Sequence, residues 1–194
     1  MAGGAAIRFG GRPKGLAMLG GRRIADQALS ALRGATTAQC IVANDPAAAR
    51  WFPGDRIVAD EMRGLGPLAG IARALQAAGG AAVLVVAWDM PFVTTELLGE
   101  LRMRGERGAS AVVPVHGPSA RPEPLCAWYG PKSLETCRAL LDAGERRASA
   151  LFEALTDTEA IGDATLARFG DASRLFTSVD TPARLAELGG TLEF

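Results

Sequence analysis

Short apolar runs rich in β-branched residues alternate along this chain with longer segments in which Leu or Ala returns every three or four residues. This alternation is typical of βα units, in which a mostly parallel sheet carries helices on both faces. The predicted strands are 39–43, 56–59, 82–87, 110–115, 125–129 and 175–178. The predicted helices are 24–32, 68–78, 95–102, 133–141, 149–155 and 182–188. We therefore expect a doubly wound α/β fold with a mostly parallel sheet and three layers.

The run AVLVVA at 82–87 is uninterrupted and apolar, which predicts a central strand that is buried on both faces. Asp89 follows it, and Pro91 prevents the strand from continuing. Ligands of open α/β sheets collect at the carboxyl ends of strands, where a carboxylate oxygen is suited to Mg²⁺. Asp89 is therefore the first candidate for a metal ligand. The alternative role, capping the next helix, is better served by Thr94 or Thr95.

The 194 residues contain no repeat, low-complexity tract or linker, which predicts one domain over 1–194. The 21 basic and 21 acidic residues give a net charge of zero, which disfavours a protein that holds nucleic acid or an anionic membrane. The cysteines are widely spaced, so neither a disulfide framework nor a cysteine zinc site is expected. We find no apolar leader or membrane-length run, and we expect a cytoplasmic protein.

The segment Ala2 to Gly15 combines several glycines with basic residues, and no acidic residue occurs before Asp26. Glycines allow the backbone to approach a ligand closely, while Arg8 and Lys14 bring positive charge, so the composition suits a triphosphate. The spacing fits neither the Walker A motif nor the dinucleotide fingerprint GxGxxG. A mobile, glycine-rich terminus is the competing interpretation.

A second loop, ADEMRGLGPLAG, begins with Asp60 at the end of a predicted strand and leads into a predicted helix. Gly64, Gly66 and Pro67 are expected to make a tight turn there. The loop is suited to form one wall of a nucleotide pocket. A plain β-to-α connection, with Pro near the first helical position, explains most of the same residues.

Later segments give weaker signals. Arg121, Arg146 and Arg147 are candidates for phosphate contacts, although the last two are also typical of a solvated helix terminus. Asp180 is expected to close a strand, or to mark a helix start together with Thr181 and Pro182. His116 has no second histidine for a zinc site or catalytic base, and we interpret it as a loop residue.

Six segments, taken in order, resemble the MobA-type molybdenum cofactor guanylyltransferases over nearly the whole chain: AGGAAIRFGGRPKGL, DEMRGLGPLAGI, WDMPFV, RPEPLCAWY, DAGERR and SVDTPARL. The resemblance implies a Rossmann-like nucleotidyltransferase fold and Mg²⁺-dependent transfer of GMP from GTP to molybdopterin carrying molybdenum, with release of pyrophosphate. GTP and the molybdopterin cofactor would be its partners, with transient contact to molybdoenzymes or their chaperones. The GPLAG loop favours the guanylyl branch.

The resemblance also implies roles for single residues on the nucleotide side. Backbone N–H groups of Ala2, Gly3 and Gly4 would contact the nucleotide, as would Asp60. Lys14 would neutralise the triphosphate with the help of Arg8, and Asp89 would hold Mg²⁺. Such transfer is catalysed mainly by positioning and charge neutralisation, so no nucleophilic side chain is needed.

On the acceptor side, the resemblance implies that the pterin is lined by Arg121 to Leu125, by the turn with Arg146 and Arg147, and by Asp180. The chain departs from the family pattern at Val42, where asparagine is frequent, and at Phe9, where methionine is usual. These departures concern contacts to the base and ribose.

In the family, a first strand precedes the glycine loop, whereas here Met1 directly precedes Ala2, Gly3 and Gly4. We expect this strand to be missing, with the sequence starting inside the natural protein. Its loss would leave unpaired backbone groups on two neighbouring strands. Two other functions remain open: a nucleotidyltransferase with another base or acceptor, such as CTP, and a non-catalytic protein that binds nucleotide or pterin.

Overall fold

Short strands and longer helices alternate in the computed structural model, which describes residues 1–2, 9, 11, 13–59 and 64–192. The strands are β1 (Met18–Leu19), β2 (Arg22–Arg23), β3 (Ile41–Val42), β4 (Ile57–Val58), β5 (Val83–Val86), β6 (Ala111–His116), β7 (Arg121–Pro122), β8 (Cys126–Tyr129) and β9 (Thr158–Ile161). The helices are α1 (Ile24–Ala35), α2 (Ala48–Trp51), α3 (Gly66–Ala77), α4 (Thr95–Gly105), α5 (Ser133–Asp142), α6 (Ser149–Ala154), α7 (Asp163–Leu166), α8 (Ala172–Leu175) and α9 (Pro182–Glu187). A 3₁₀ turn covers Lys14–Leu16.

The main sheet has the order β5-β8-β6-β7, with β9 also paired to β6. Strand β5 therefore lies at one end of this sheet and not at its centre, where the sequence predicts 82–87 to lie. Strand β8 runs antiparallel to β5 and β6, whereas β9 runs parallel to β6. The connection over 117–125 is too short for the crossover that a parallel neighbour requires, so β8 returns in the reverse direction. Strands β3 and β4 form a separate parallel pair. The expected α/β class is confirmed. The main sheet is not mostly parallel as predicted, because β7 and β8 both run opposite to β6 and only the β6–β9 pair is parallel.

Consecutive residues of the main sheet face two different cores, as the period of two in a strand requires. Val86, Val112 and Cys126 pack with the apolar residues of α1 and α4. Val85, Val113 and Ala127 pack on the other face, with α3, α5 and α6. The fold therefore has the three layers that the sequence predicts.

The helix starts follow ordinary capping rules. The Thr94 side chain accepts a hydrogen bond from the Leu97 N–H at 3.2 Å and begins α4, so Asp89 is not needed as its cap. Thr181 does the same for α9 with the N–H of Arg184, at 3.1 Å. Helix α3 instead begins with Pro at its first turn and has no side-chain cap.

Residues 1 and 2 lie between the β3–β4 pair and the main sheet. The Met1 amino group donates to the Val86 carbonyl at 2.6 Å, and the Trp88 N–H donates to the Met1 carbonyl at 3.0 Å. On the other side, the Ala2 N–H donates to the Val42 carbonyl at 2.9 Å. Backbone hydrogen bonds of these two residues therefore connect β5 to β3.

A small cluster, which we call the hairpin core, forms beside the β1–β2 hairpin. It contains Phe9, Ala17, Leu19, Ile24, Val179 and Leu185, all buried. Gly20 and Gly21 make the hairpin turn with φ of +60° and +76°, values that favour glycine in a two-residue turn. Because Ala17 and Val179 belong to the same cluster, the hairpin core joins the N-terminal segment to the segment before α9.

The predicted strand at 175–178 is wrong. Asp171 accepts the Ser173 N–H at 2.7 Å and starts α8, and the following residues up to the cap Thr181 are irregular. Leu175 and Phe176 are apolar because they pack into the core. The main sheet instead contains a strand that the sequence does not predict, β9, which pairs with β6 and whose sequence TEAI lacks a clear apolar pattern. Within the described residues, no helix has the length and apolarity needed to span a membrane.

Candidate active site

Asp89 lies just beyond the carboxyl end of β5 and is only 6% exposed. The Ala87 N–H donates to the Leu125 carbonyl at 2.8 Å, so the chain leaves the sheet beside the start of β8. The Asp89 carbonyl accepts the N–H of Val179 at 2.9 Å. Asp89 therefore occupies the sheet edge where ligands of α/β proteins bind, as the sequence predicts.

Lys14 forms a salt bridge with Asp89 through Nζ and Oδ2, across 75 positions of sequence. The two side chains are 19% and 9% exposed, so solvent screens the pair less than it would at the surface. Burial of a carboxylate requires such a partner. The structure thus brings together the two residues that sequence reasoning placed at the centre of the site.

Gly15 permits the close approach of the Lys14 turn to the Asp89 turn. A Cβ atom at Gly15 would lie 2.4 Å from Cε3 of Trp88, which is closer than real Cβ contacts. The Trp88 ring also stacks on Trp51, with 6.1 Å between ring centroids. Its Nε1–H is buried and has no hydrogen-bond partner among the described residues. Position 15 therefore requires glycine for packing.

Ser178 is a site residue that sequence reasoning missed. Its hydroxyl donates to Asp89 Oδ2 at 2.8 Å, so Ser178 and Lys14 contact the same oxygen. No described residue donates a hydrogen bond to Oδ1. The only available signal was the position of Ser178 in the segment SVDTPARL, where Asp180 drew attention instead.

Asp180 is half-buried, two residues beyond Ser178. It does not close a strand, because 175–178 is not a strand. It immediately precedes Thr181, the cap of α9, so the helix start that the sequence offered as an alternative is confirmed for this segment. Its chain neighbours Ser178 and Val179 bind Asp89, which places Asp180 close to the same edge.

A polar cluster lies at the end of β6. His116 Nε2 lies 2.9 Å from Oε1 of the buried Glu123, and the His116 ring lies 5.1 Å from the Phe176 ring. Arg121 pairs with the same Glu123 oxygen at 3.6 Å while its side chain stays 77% exposed. His116 is therefore the last residue of β6 and not the loop residue that we expected, since its pairing with Arg121 extends the strand.

Arg146 and Arg147 lie in the turn after α5, and their side chains bind different partners. The Arg146 guanidinium donates to the carbonyls of Leu141 at 3.2 Å and Glu145 at 2.9 Å, which caps the end of α5. The Arg147 side chain is 65% exposed and pairs with Glu145 at 2.7 Å. Hydrogen bonds from the Arg147 side chain, and then from the N–H groups of Arg147 and Arg146, lower the pKa of Glu145 to about 2.

The same turn contacts the start of α3. The Arg146 carbonyl accepts the Leu68 N–H at 3.4 Å, and a Cβ atom at Gly66 would lie 2.9 Å from that carbonyl oxygen. Gly66 also has a φ of +76°, which favours glycine. The GPLAG loop and the Arg146–Arg147 turn therefore form one continuous wall.

Several predicted nucleotide contacts lie outside the described residues: Gly3, Gly4, Arg8 and Asp60. Ala2 is described, and its N–H is already used by the Val42 carbonyl. That N–H belongs to the backbone pairing beside β3, so it is not free for the nucleotide contact that the resemblance implies.

No group of three or more His, Cys, Asp or Glu side chains within metal-binding reach occurs in the described part of the chain. Asp89 nevertheless fits a magnesium ion, because Mg²⁺ binds through one or two carboxylates together with substrate phosphates and water. Its hard oxygen, its burial and its position at the sheet edge suit that role. Any metal at Asp89 would take most of its other ligands from the substrate.

Residues 1–160 match the family model described as the MobA-like NTP transferase domain. The chain belongs to this family. A molybdenum cofactor guanylyltransferase from Shewanella pealeana is 31% identical over 191 residues, which cover 97% of this chain and 91% of that protein. A probable molybdenum cofactor guanylyltransferase from Deinococcus radiodurans is 35% identical over 189 residues, with coverage of 97% and 91%.

A solved structure shows the same similarity in three dimensions. Molybdopterin-guanine dinucleotide biosynthesis protein A from Archaeoglobus fulgidus superposes with a TM-score of 0.79 and 26% identity, covering 96% of this chain and 93% of that one. The predicted family and nucleotidyltransferase fold are therefore confirmed, and the chain is an NTP transferase of the MobA-like family.

Proposed function

We propose that this protein transfers GMP from GTP to molybdenum-molybdopterin, forming the guanine dinucleotide cofactor and releasing pyrophosphate. The observation that carries the proposal is the Lys14–Asp89 pair at the carboxyl edge of β5. It lies in a chain that aligns over 97% of its length with proteins named molybdenum cofactor guanylyltransferase. A cation and a metal-binding carboxylate are the two charges that transfer between two anionic substrates requires.

In this proposal Lys14 neutralises negative charge on the triphosphate, and the buried Asp89 holds the divalent ion, Mg²⁺. The bound metal would supply charge neutralisation at the phosphates. The acceptor phosphate attacks the α-phosphorus, the bond from that phosphorus to the bridging oxygen breaks, and pyrophosphate leaves with the electron pair. Arg8, Gly3, Gly4 and Asp60 are proposed to contact the nucleotide, as the resemblance implies.

Asp89 and the triphosphate compete for Lys14 in this proposal. Without ligand, Lys14 is the cationic partner of the buried Asp89 carboxylate. With a divalent ion held at Asp89, the carboxylate would no longer need Lys14 as its cationic partner, and the Lys14 ammonium would bind a phosphate oxygen. The salt bridge therefore keeps both groups in place until the metal nucleotide arrives.

The acceptor side is proposed to include Arg121, Arg147 and Asp180. Arg121 and Arg147 have exposed side chains and single acidic partners, so an anionic group can compete for them. Arg146 is the weaker candidate, because its guanidinium is used by the carbonyls at the end of α5. Transient contact with molybdoenzymes or their chaperones, a cytoplasmic location and a single domain stay predictions.

The test is incubation of the protein with Mg²⁺, molybdenum cofactor and each NTP separately, with pyrophosphate and the dinucleotide product measured. We expect consumption of GTP only, and loss of turnover when the metal is chelated. Equal turnover with CTP would replace guanylyl transfer by a broader nucleotidyl transfer. Nucleotide binding without pyrophosphate release would show a non-catalytic carrier instead.

A further inference from the structure

Two consecutive residues hold Asp89 at two different points. The Ser178 hydroxyl donates to the side-chain oxygen Oδ2 at 2.8 Å, and the Val179 N–H donates to the main-chain carbonyl at 2.9 Å. Both residues come from the segment before α9, which lies beyond the residues 1–160 that match the family model. The carboxylate at the centre of the proposed site is therefore fixed by a part of the chain outside that match.

The hairpin core holds Ser178 in place through its chain neighbour Val179. Val179 has no exposed surface and packs with Ala17 and Leu185 in this cluster. The turn that carries Lys14 leads directly into Ala17, which is also fully buried. The two donors to Asp89 Oδ2 are thus connected to one small core, although they are far apart in sequence.

The two donors differ in how strongly they restrict the carboxylate. Lys14 reaches Asp89 through a long, flexible side chain and is the group that a triphosphate would recruit. Ser178 has a short side chain next to a buried residue and carries no charge. When Lys14 turns to a phosphate, the Ser178 bond still fixes Oδ2, and Oδ1 accepts no hydrogen bond from a described residue.

We infer that Ser178 is a positioning residue that keeps the Asp89 carboxylate oriented for the metal nucleotide. The inference rests on the proposed function, because it requires that Asp89 binds the metal. Ser178 itself touches no reacting atom and acts through Asp89. Its removal changes metal affinity because the carboxylate loses the hydrogen bond that fixes Oδ2 and then rotates more freely.

The experiment measures Mn²⁺ binding by electron paramagnetic resonance in the presence of a non-hydrolysable GTP analogue, together with the melting temperature. For Ser178→Ala we expect about tenfold weaker Mn²⁺ binding, the size expected for one hydrogen bond to a charged group, and a melting temperature close to wild type. Ser178→Thr keeps the hydroxyl and should bind Mn²⁺ much like the wild type. Ser173→Ala is the matched control, because its hydroxyl binds Asp171 at the exposed start of α8.

Wild-type Mn²⁺ affinity in Ser178→Ala would overturn the inference, as would a loss that Ser173→Ala shares. Asp89→Asn, measured in the same assay, separates the two proposals. If Asp89→Asn keeps wild-type affinity, the metal role of Asp89 fails, and the proposed site with it. If Asp89→Asn loses affinity while Ser178→Ala does not, only the positioning role of Ser178 fails.

Discussion

The Lys14–Asp89 pair and the Glu145–Arg147 pair are both ion pairs beside loops of the proposed site, yet they differ in sequence separation and in exposure to solvent. Lys14 and Asp89 are 75 residues apart and mostly covered. Glu145 and Arg147 are two residues apart, and Arg147 is 65% exposed. The first pair exists only because the fold assembles it, whereas the second forms within one turn of the chain.

The difference decides how each pair responds to a change. Removing one partner of a covered pair leaves the other charge without compensation, which is costly. Removing one partner of an exposed pair leaves a charge that water solvates, so the effect is small. Because Lys14 and Asp89 are also proposed to act on the triphosphate, we expect large effects on turnover at these two residues and small effects at the turn after α5.

The largest effect is expected for Asp89→Asn. The substitution removes the carboxylate charge and leaves the ammonium of Lys14 without its partner, so turnover should fall by at least about a thousandfold. The fold should persist, because Val179 binds the main-chain carbonyl of residue 89. Steady-state pyrophosphate release and circular dichroism check both parts. Near-normal turnover would remove Asp89 from the reaction.

Lys14→Ala should have the next largest effect. Loss of one preorganised charge costs about 3 kcal/mol of transition-state stabilisation, or roughly a hundredfold in kcat/KM for GTP. Lys132→Ala is the matched control, since Lys132 is the other lysine and is exposed just before α5. Equal kcat/KM values for the two variants would show that Lys14 has no special role.

The two arginines of the turn should separate acceptor binding from stability. Arg147→Ala should raise the KM for the acceptor about fivefold and leave the KM for GTP unchanged, since an exposed charge contributes about 1 kcal/mol or less. Arg146→Ala should instead lower the melting temperature by roughly 2–4 °C, because it loses the bonds to the Leu141 and Glu145 carbonyls. The reverse result would exchange their assigned roles.

The smallest effect is expected from pH. The pKa of Glu145 is lowered to about 2 in the folded protein, so its ionised form favours folding. This contribution is complete above the unfolded pKa of about 4.3 and is lost as the pH falls toward 2. The melting-temperature difference between wild type and Glu145→Gln should shrink over that range. A constant difference would show that the carboxylate charge of Glu145 does not stabilise the turn.

Strong periodic signals predicted the fold well. All six predicted helices are present, and the apolar run before Asp89 forms strand β5. This strand ends the main sheet instead of lying at its centre, and within β5 only Val85 and Val86 are buried. Strand β9 could not be predicted, because TEAI alternates poorly and pairs with β6 only in the folded chain. The predicted strand at 175–178 failed because the Asp171 cap favours a helix over the apolar pattern.

Within the site, the sequence singled out Asp89 and Lys14 as candidates, because a carboxylate after an apolar strand suits a metal ion and a lysine among glycines suits a phosphate; their roles stay predictions. Ser178 could not be found this way. A serine before a helix cap is ordinary in sequence, and its role depends on a hydrogen bond across 89 positions. The capping role of Arg146 could not be predicted either, because its two carbonyl acceptors come within reach of the guanidinium only when the turn has folded.

The stacking of Trp88 on Trp51 has an optical consequence. Trp88 precedes Asp89 in the chain, and its ring covers Gly15, the neighbour of Lys14. The third tryptophan, Trp128, lies apart from this pair, in the core formed with α1 and α4. In Trp128→Phe, all tryptophan emission therefore arises beside the Lys14–Asp89 salt bridge. Movement of Lys14 toward a phosphate would shift Gly15 against the indole, and nucleotide binding would become visible as a change in intrinsic fluorescence.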